Sequence, residues 1–236
     1  MRSMLRSMTA LVCVFLSVNA LATTSATLAS QGISQAIAIG NDEVNGKAVT
    51  GAQFTSLANK LNSYITAATN DGTLTSAQTY IANNAQQIQT TIANDIASKN
   101  EPNPLAATIY GTLNANGWVG TQTNVEIEMA QLTAADVTNS MQQIQTQGLA
   151  SALQGLSSDL ETLAQEAKNQ GTRSDLVYTS FHGRAAHLIE VECAVMAEFL
   201  AIGAIGAIAS LGGVNPLGDL LVTIGTVGGF VCYVIH

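Results

Sequence analysis

From Ala52 onward, apolar residues recur at helical spacing, beginning with Phe54, Leu57, Leu61, Tyr64, Ile65 and Ala68. Residues so spaced share one face of a 3.6-residue helix, and Asn70-Asp71-Gly72 supplies its stop. A second stripe, Ile81, Ala85, Ile88, Ile92 and Ile96, predicts one further helix ending before "NEPNP", Asn100 to Pro104. Proline disfavours helix in the residue ahead of it, which accounts for that stop. A short third helix is expected from Leu105 to Asn114, leading into the turn "NANGW". The stretch from Val125 to Ile144 reads as helix on both sides of a break, with Thr133 and Asp136 at capping-box spacing. The clearest stripe follows Gly148. There Leu149, Leu153, Leu156, Leu160, Leu163 and Ala167 alternate spacings of four and three, and Gly171 closes the run. It lasts under three heptads, which favours packing inside one bundle over a coiled-coil dimer.

Period-two alternation is absent beyond a few residues, and Pro is confined to 102, 104 and 216. Helices joined by short turns imply an all-α helical bundle. Within it, residues 52–183 form the amphipathic helical region. Residues 23–51 read as an irregular lead-in, because Gly40, "NDEVNG" and Gly51 interrupt the short apolar stretch Ile33 to Ile39.

The remaining segment, 184–236, has a different character. No Lys or Arg occurs from Phe199 to His236, and Asp219 is the only acid there. Gly212-Gly213-Val214-Asn215-Pro216 carries strong turn signals. The segment therefore reads as a helical hairpin, with arms from about Arg184 to Leu211 and Leu217 to Val234. Cys193 and Cys232 lie symmetrically about Gly212-Gly213, which predicts a disulfide clasping the hairpin's open end. Closing that loop would stabilise the fold by ~4 kcal/mol in the chain-entropy model. Phe199, Gly203, Gly206 and Gly213 mark the first arm and turn, and Pro216, Gly225, Gly228 and Gly229 mark the second. A mid-helix glycine costs ~1 kcal/mol relative to alanine, so this density suggests close helix–helix approach. The uncharged runs Phe199 to Gly218 and Leu220 to Ile235 are at or just below the ~20 residues of a spanning helix.

The other end of the chain sets the expected compartment. Arg2 and Arg6 precede the apolar stretch Ala10 to Val18, followed by small residues in Ala20-Leu21-Ala22. This is the pattern of a secretory signal spanning residues 1–22, with cleavage after Ala22 preferred over cleavage after Ala26. Cys13 leaves with it, so the exported chain keeps an even pair of cysteines, as a disulfide in an oxidising compartment requires. The exported chain has six basic residues against sixteen acidic ones. That balance, without any Lys/Arg cluster, argues against nucleic acid as a partner.

Chemistry of a catalytic kind has no signature here. His182, His187, Glu190 and Glu192 crowd together, but they do not form HExxH, and a solvated helix start explains them better than a metal site. No GxSxG elbow, phosphate loop or dinucleotide fingerprint occurs. Neither an enzyme nor a cofactor is expected.

The hairpin carries the functional expectation. Two consecutive helices that are apolar on nearly every face need full enclosure or lipid. The favoured reading is a secreted, toxin- or bacteriocin-like protein, pore-forming in one version, that releases its hairpin into a target cell membrane, with room for a homo-oligomer there. Glu190, Glu192, Glu198 and Asp219 flank the apolar runs. They are expected to stay hydrated at the bundle's rim near neutral pH and to lose charge on entering lipid, so that acid favours membrane action. The alternatives are a secreted helical binding or structural protein whose hairpin is only its core, or one that it anchors to a surface.

Overall fold

The computed structural model describes residues 24–45, 47, 49–98, 103–171, 198–209 and 215–234, with side chains except at 43, 166–171, 215–216 and 228–234. In chain order the helices are α1 (Ser25–Val44), α2 (Gly51–Asn70), α3 (Thr73–Asn83), α4 (Ala85–Ala97), α5 (Pro104–Ala115), α6 (Gln122–Met129), α7 (Ala134–Gln147), α8 (Leu149–Gly171), α9 (198–209) and α10 (Asn215–Val234). No strand occurs among the described residues, and the protein is an all-α bundle.

Short polar side chains decide where these helices begin. Thr133 accepts a hydrogen bond from the Asp136 backbone N–H, and the Asp136 carboxylate accepts in return from the Thr133 N–H. This is the reciprocal capping expected from their spacing. Thr121 and Asn124 do the same for α6. Asn103 accepts from the N–H groups of Leu105 and Ala106, with Pro104 at the first helical position, where no N–H is needed.

Two expectations are corrected. Residues 25–44, read as an irregular lead-in, form a single 20-residue helix. Gly40 is one of the expected interruptions, and Gly32 is a second glycine in the same helix. They sit inside α1 because each faces a bulky neighbour, and tertiary packing outweighs their weak helix propensity. The stripe from Ile81 to Ile96 is two helices rather than one, because the Asn84 backbone leaves the helical range at φ −115° and ψ 12°, while its N–H and its side-chain amide both donate to the Tyr80 carbonyl, at 3.1 and 2.8 Å.

Stripes face inward as their period requires. Leu149, Leu153, Leu156, Leu160 and Leu163 of α8 are all buried. The helix they belong to lies along α2, whose own stripe includes Leu57, Ala58, Leu61 and Ile65. Small residues let these two backbones approach, and the buried Ser157 hydroxyl donates to the Ala58 carbonyl at 3.2 Å. α7 packs on α4 and α8, α1 on α2 and α10, and α5 and α6 on α10 as well. Leu156→Ala should lower stability by about 2–5 kcal/mol, the cost of a leucine-sized cavity in a tight core. Chemical denaturation measures it, and an unchanged midpoint would place the α8 stripe outside the core.

Candidate functional site

The hairpin region is assembled backbone against backbone. A Cβ added at Gly225 would stand 2.7 Å from the Phe199 carbonyl oxygen, and one at Gly203 would stand 2.9 Å from that of Leu221. A Cβ at Gly206 would meet the Gly218 Cα at 3.0 Å. These contacts run in opposite directions along α9 and α10, so the two helices are antiparallel. The glycines expected at the seam therefore stand at the closest approach, with no room for even a methyl group. Gly213, with Gly212 and Val214 of the expected turn, lies outside the described residues, as do Glu190, Glu192 and Cys193, whereas Asn215 and Pro216 of that turn open α10. Pro216, Gly228, Gly229 and Cys232 belong to α10, with their side chains outside the described set.

A glycine seam turns the remaining side chains outward all round, and all of them must be covered. Residues 199–207 are buried without exception, as are 217–218 and 220–227. Ile81 of α3, Ile144 of α7 and Leu149 of α8 meet Ile202, Ile205 and Ala209 around a void of about 10 Å³. On the opposite side, α1 lies parallel to α10. Gly32 accommodates Leu220, and Gly40 accommodates Val227. Trp118 closes the end of this contact, buried against Gly40 and against Gly120 in its own loop. Among the described residues, no helix is long and apolar enough to cross a membrane, and no group of His, Cys, Asp or Glu could hold a metal ion.

The two acids bordering this apolar body are half-buried, not hydrated at a rim. Desolvation pushes the Glu198 carboxyl up, the nearby Asp159 charge pushes it further, and a hydrogen bond from the Gln143 side chain opposes both. Desolvation likewise raises Asp219 and Asp159. Asp71 behaves in the opposite way. Hydrogen bonds from Ser25 and Thr73 hold it down at about 2.

Three features of this region were missed in the sequence. Gln78 of α3 staples the α7–α8 corner, donating to the Ile144 carbonyl at 3.1 Å and accepting from the Leu149 N–H. Asn41 of α1 donates to the Gly117 carbonyl at 3.0 Å and accepts from the Val119 N–H at 2.9 Å. Asp159 and Gln143 surround Glu198. Only the small-residue spacing Gly32, Ala36, Gly40 offered a signal, and it marks α1 as a packing surface. No protein-family model, curated protein or solved structure matches this chain.

Two predictions follow from the seam and its acids. Gly225→Ala should force the arms apart and cost about 1–3 kcal/mol, whereas Gly111→Ala, in the exposed interior of α5 with nothing within 4 Å, should gain up to ~1 kcal/mol. Equal effects in urea denaturation would mean that the seam is not tight.

For pH, a raised carboxyl binds protons more tightly in the folded state, so its contribution is greatest at low pH and is lost as pH rises through the folded value. Asp71 contributes above the unfolded value of about 4 and loses that contribution as pH falls toward about 2. The melting temperature should therefore be higher near pH 5 than near pH 8, and should fall again below about pH 4. Glu198→Gln should flatten the upper limb. A melting temperature that rises steadily from pH 5 to 8 contradicts this assignment.

Proposed function

We propose that this is an exported helical-bundle protein that carries a C-terminal apolar hairpin folded inside it and delivers that hairpin to the lipid membrane of a target cell, in the manner of a toxin or bacteriocin. One observation carries the reading. Among the described residues, both helices of the apolar pair are buried on nearly every face, and the cover consists of separate helices with few charges. A core needed only for stability is normally assembled from single stripes contributed by many helices. Here two consecutive helices are apolar all round and are joined by their own backbones, so they can move as one piece.

Export fits the α1 geometry. Ser25 is buried beside Thr73, and cleavage after Ala22 keeps it, whereas cleavage after Ala26 would remove it. The cystine remains part of the proposal. The register that sets Leu200 against Gly225, continued seven residues along each arm, would set Cys193 against Cys232. An oxidising compartment would then join the arms covalently.

Acid enters through a difference. Protonating Glu198 and Asp219 relieves a cost already present in the bundle, so low pH drives transfer only as far as hydrocarbon raises their pKa values beyond what the bundle does. Full burial in lipid does raise them further, since ~2.5–3.5 kcal/mol is the cost of an ionised Asp at a helix centre on insertion scales.

A second reading has its own support: the hairpin is the fixed core of a secreted helical binding or structural protein. The interlock of α1 with α10 and the lack of a spanning helix among the described residues favour it. Dye release from anionic liposomes separates the two. Membrane delivery predicts leakage that grows as pH falls from about 7 to 4, with the cysteines oxidised or reduced setting its extent. No leakage at any pH in either redox state leaves the core reading.

A further inference from the structure

We infer that α1 is a removable cover over the hairpin, a strap fastened at its two ends by side-chain hydrogen bonds, whose release bares one side of α10 while α2 and α8 stay folded together. The inference rests on the membrane-directed reading of the hairpin and says which part of the bundle opens first.

Connectivity makes α1 the helix that can leave. It precedes the other described helices and is tied forward only to α2, through residues 45–50, so it swings away without unthreading any loop. Its contact with α10 is lined by small residues four apart, Gly32, Ala36 and Gly40, into which Leu220 and Val227 fit. α1 packs on α2 as well as on α10, so its displacement opens both contacts. Ile33, Ile37 and Ile39 of α1 are also buried. Opening in water is therefore uphill, and a lipid surface able to take up both bared faces favours it. The outer side of α1, with Ser30, Gln31 and Ser34 exposed, suits a helix lying at such an interface with its apolar face down.

The fastenings sit at the ends. Ser25 shares a hydrogen bond with the Thr73 hydroxyl at 3.4 Å and also bonds to Asp71, which accepts from the Thr73 N–H at 3.0 Å. At the other end the Asn41 amide pairs with the 117–119 loop through one donated and one accepted bond. That loop carries Trp118, the chain's single tryptophan, buried against Gly40. Displacing α1 wets the indole, so its emission reports the strap.

The test uses the exported full-length chain with Asn41→Ala at one end and Asp71→Asn at the other. Leu156→Ala, which weakens the α2–α8 core instead, serves as the comparison. Hydrogen exchange read by mass spectrometry should speed up in 25–44 by on the order of tenfold, the effect of losing two modest hydrogen bonds, with α2 and α8 unchanged. Trp118 emission should shift red in the same variants and not in Leu156→Ala. Leakage from phosphatidylglycerol liposomes at a fixed pH should rise several-fold for the end variants beyond any rise for Leu156→Ala. If α1 exchanges in step with α2 and α8 in either end variant, there is no strap. If α1 opens selectively yet no variant releases dye, the strap stands and the membrane reading fails. Should Asn41→Ala not fold, Asp71→Asn, at a fully exposed carboxylate, decides alone.

Discussion

Backbone contact between α9 and α10 sets the terms for the rest of the bundle. Where Gly225 meets the carbonyl of Phe199 and Gly206 meets Gly218, no side chain separates the two helices. Every described Leu, Ile, Val and Phe side chain they carry is consequently turned toward a third element. A pair of helices built that way cannot lie on the surface of a globule, because no side of it is fit for water. It has to be wrapped. The wrapping helices then need only one apolar face each, and that is the composition found in α2, α4, α7 and α8, with buried stripes beneath polar outer faces. The glycine cost inside α9 and α10 is offset by this closeness, since helices in contact along their backbones gain dispersion from many atoms at once.

Sparse charge follows from the same constraint and shapes the response to pH. Carboxylates near the wrapped pair cannot all reach water. Glu198 and Asp219 are half-buried, and both are shifted toward the neutral form. Asp71, held by the Ser25 and Thr73 hydroxyls, is shifted toward the charged form. Neighbouring parts of one small protein thus respond to acid in opposite senses. The acids at the apolar body favour mild acid, and the acid at the α1 fastening resists it until the pH is far lower.

Single polar side chains hold the wrapping helices in register. Gln78 holds both sides of the α7–α8 corner, where Gly148 adopts φ +88°. Asn41 imitates a strand partner for the loop around Trp118. Such bonds are each modest in net stability. Their directionality nevertheless fixes which helix end meets which loop, something the non-directional apolar faces leave open.

The sequence by itself determined the helices with strong period: the stripes of α2 and α8, the cap at Thr133, and an apolar C-terminal pair that needs enclosure or lipid. Those features are local, written in spacings of three and four, in the hydroxyl-to-carboxylate distance of a capping box, and in the absence of charge. It misjudged α1, because Gly40 looks like a break until Val227 and Trp118 are seen to need the space beside it. It ran α3 and α4 together, because the Asn84 interruption leaves the apolar spacing intact on either side. Only the tertiary structure decided which helix covers which side of the apolar pair, that Asp159 stands near Glu198, and that Asn41 reaches a loop more than seventy residues away. Those are meetings of distant residues. Periodicity records how a segment faces its surroundings and carries nothing about the identity of the segment it will face.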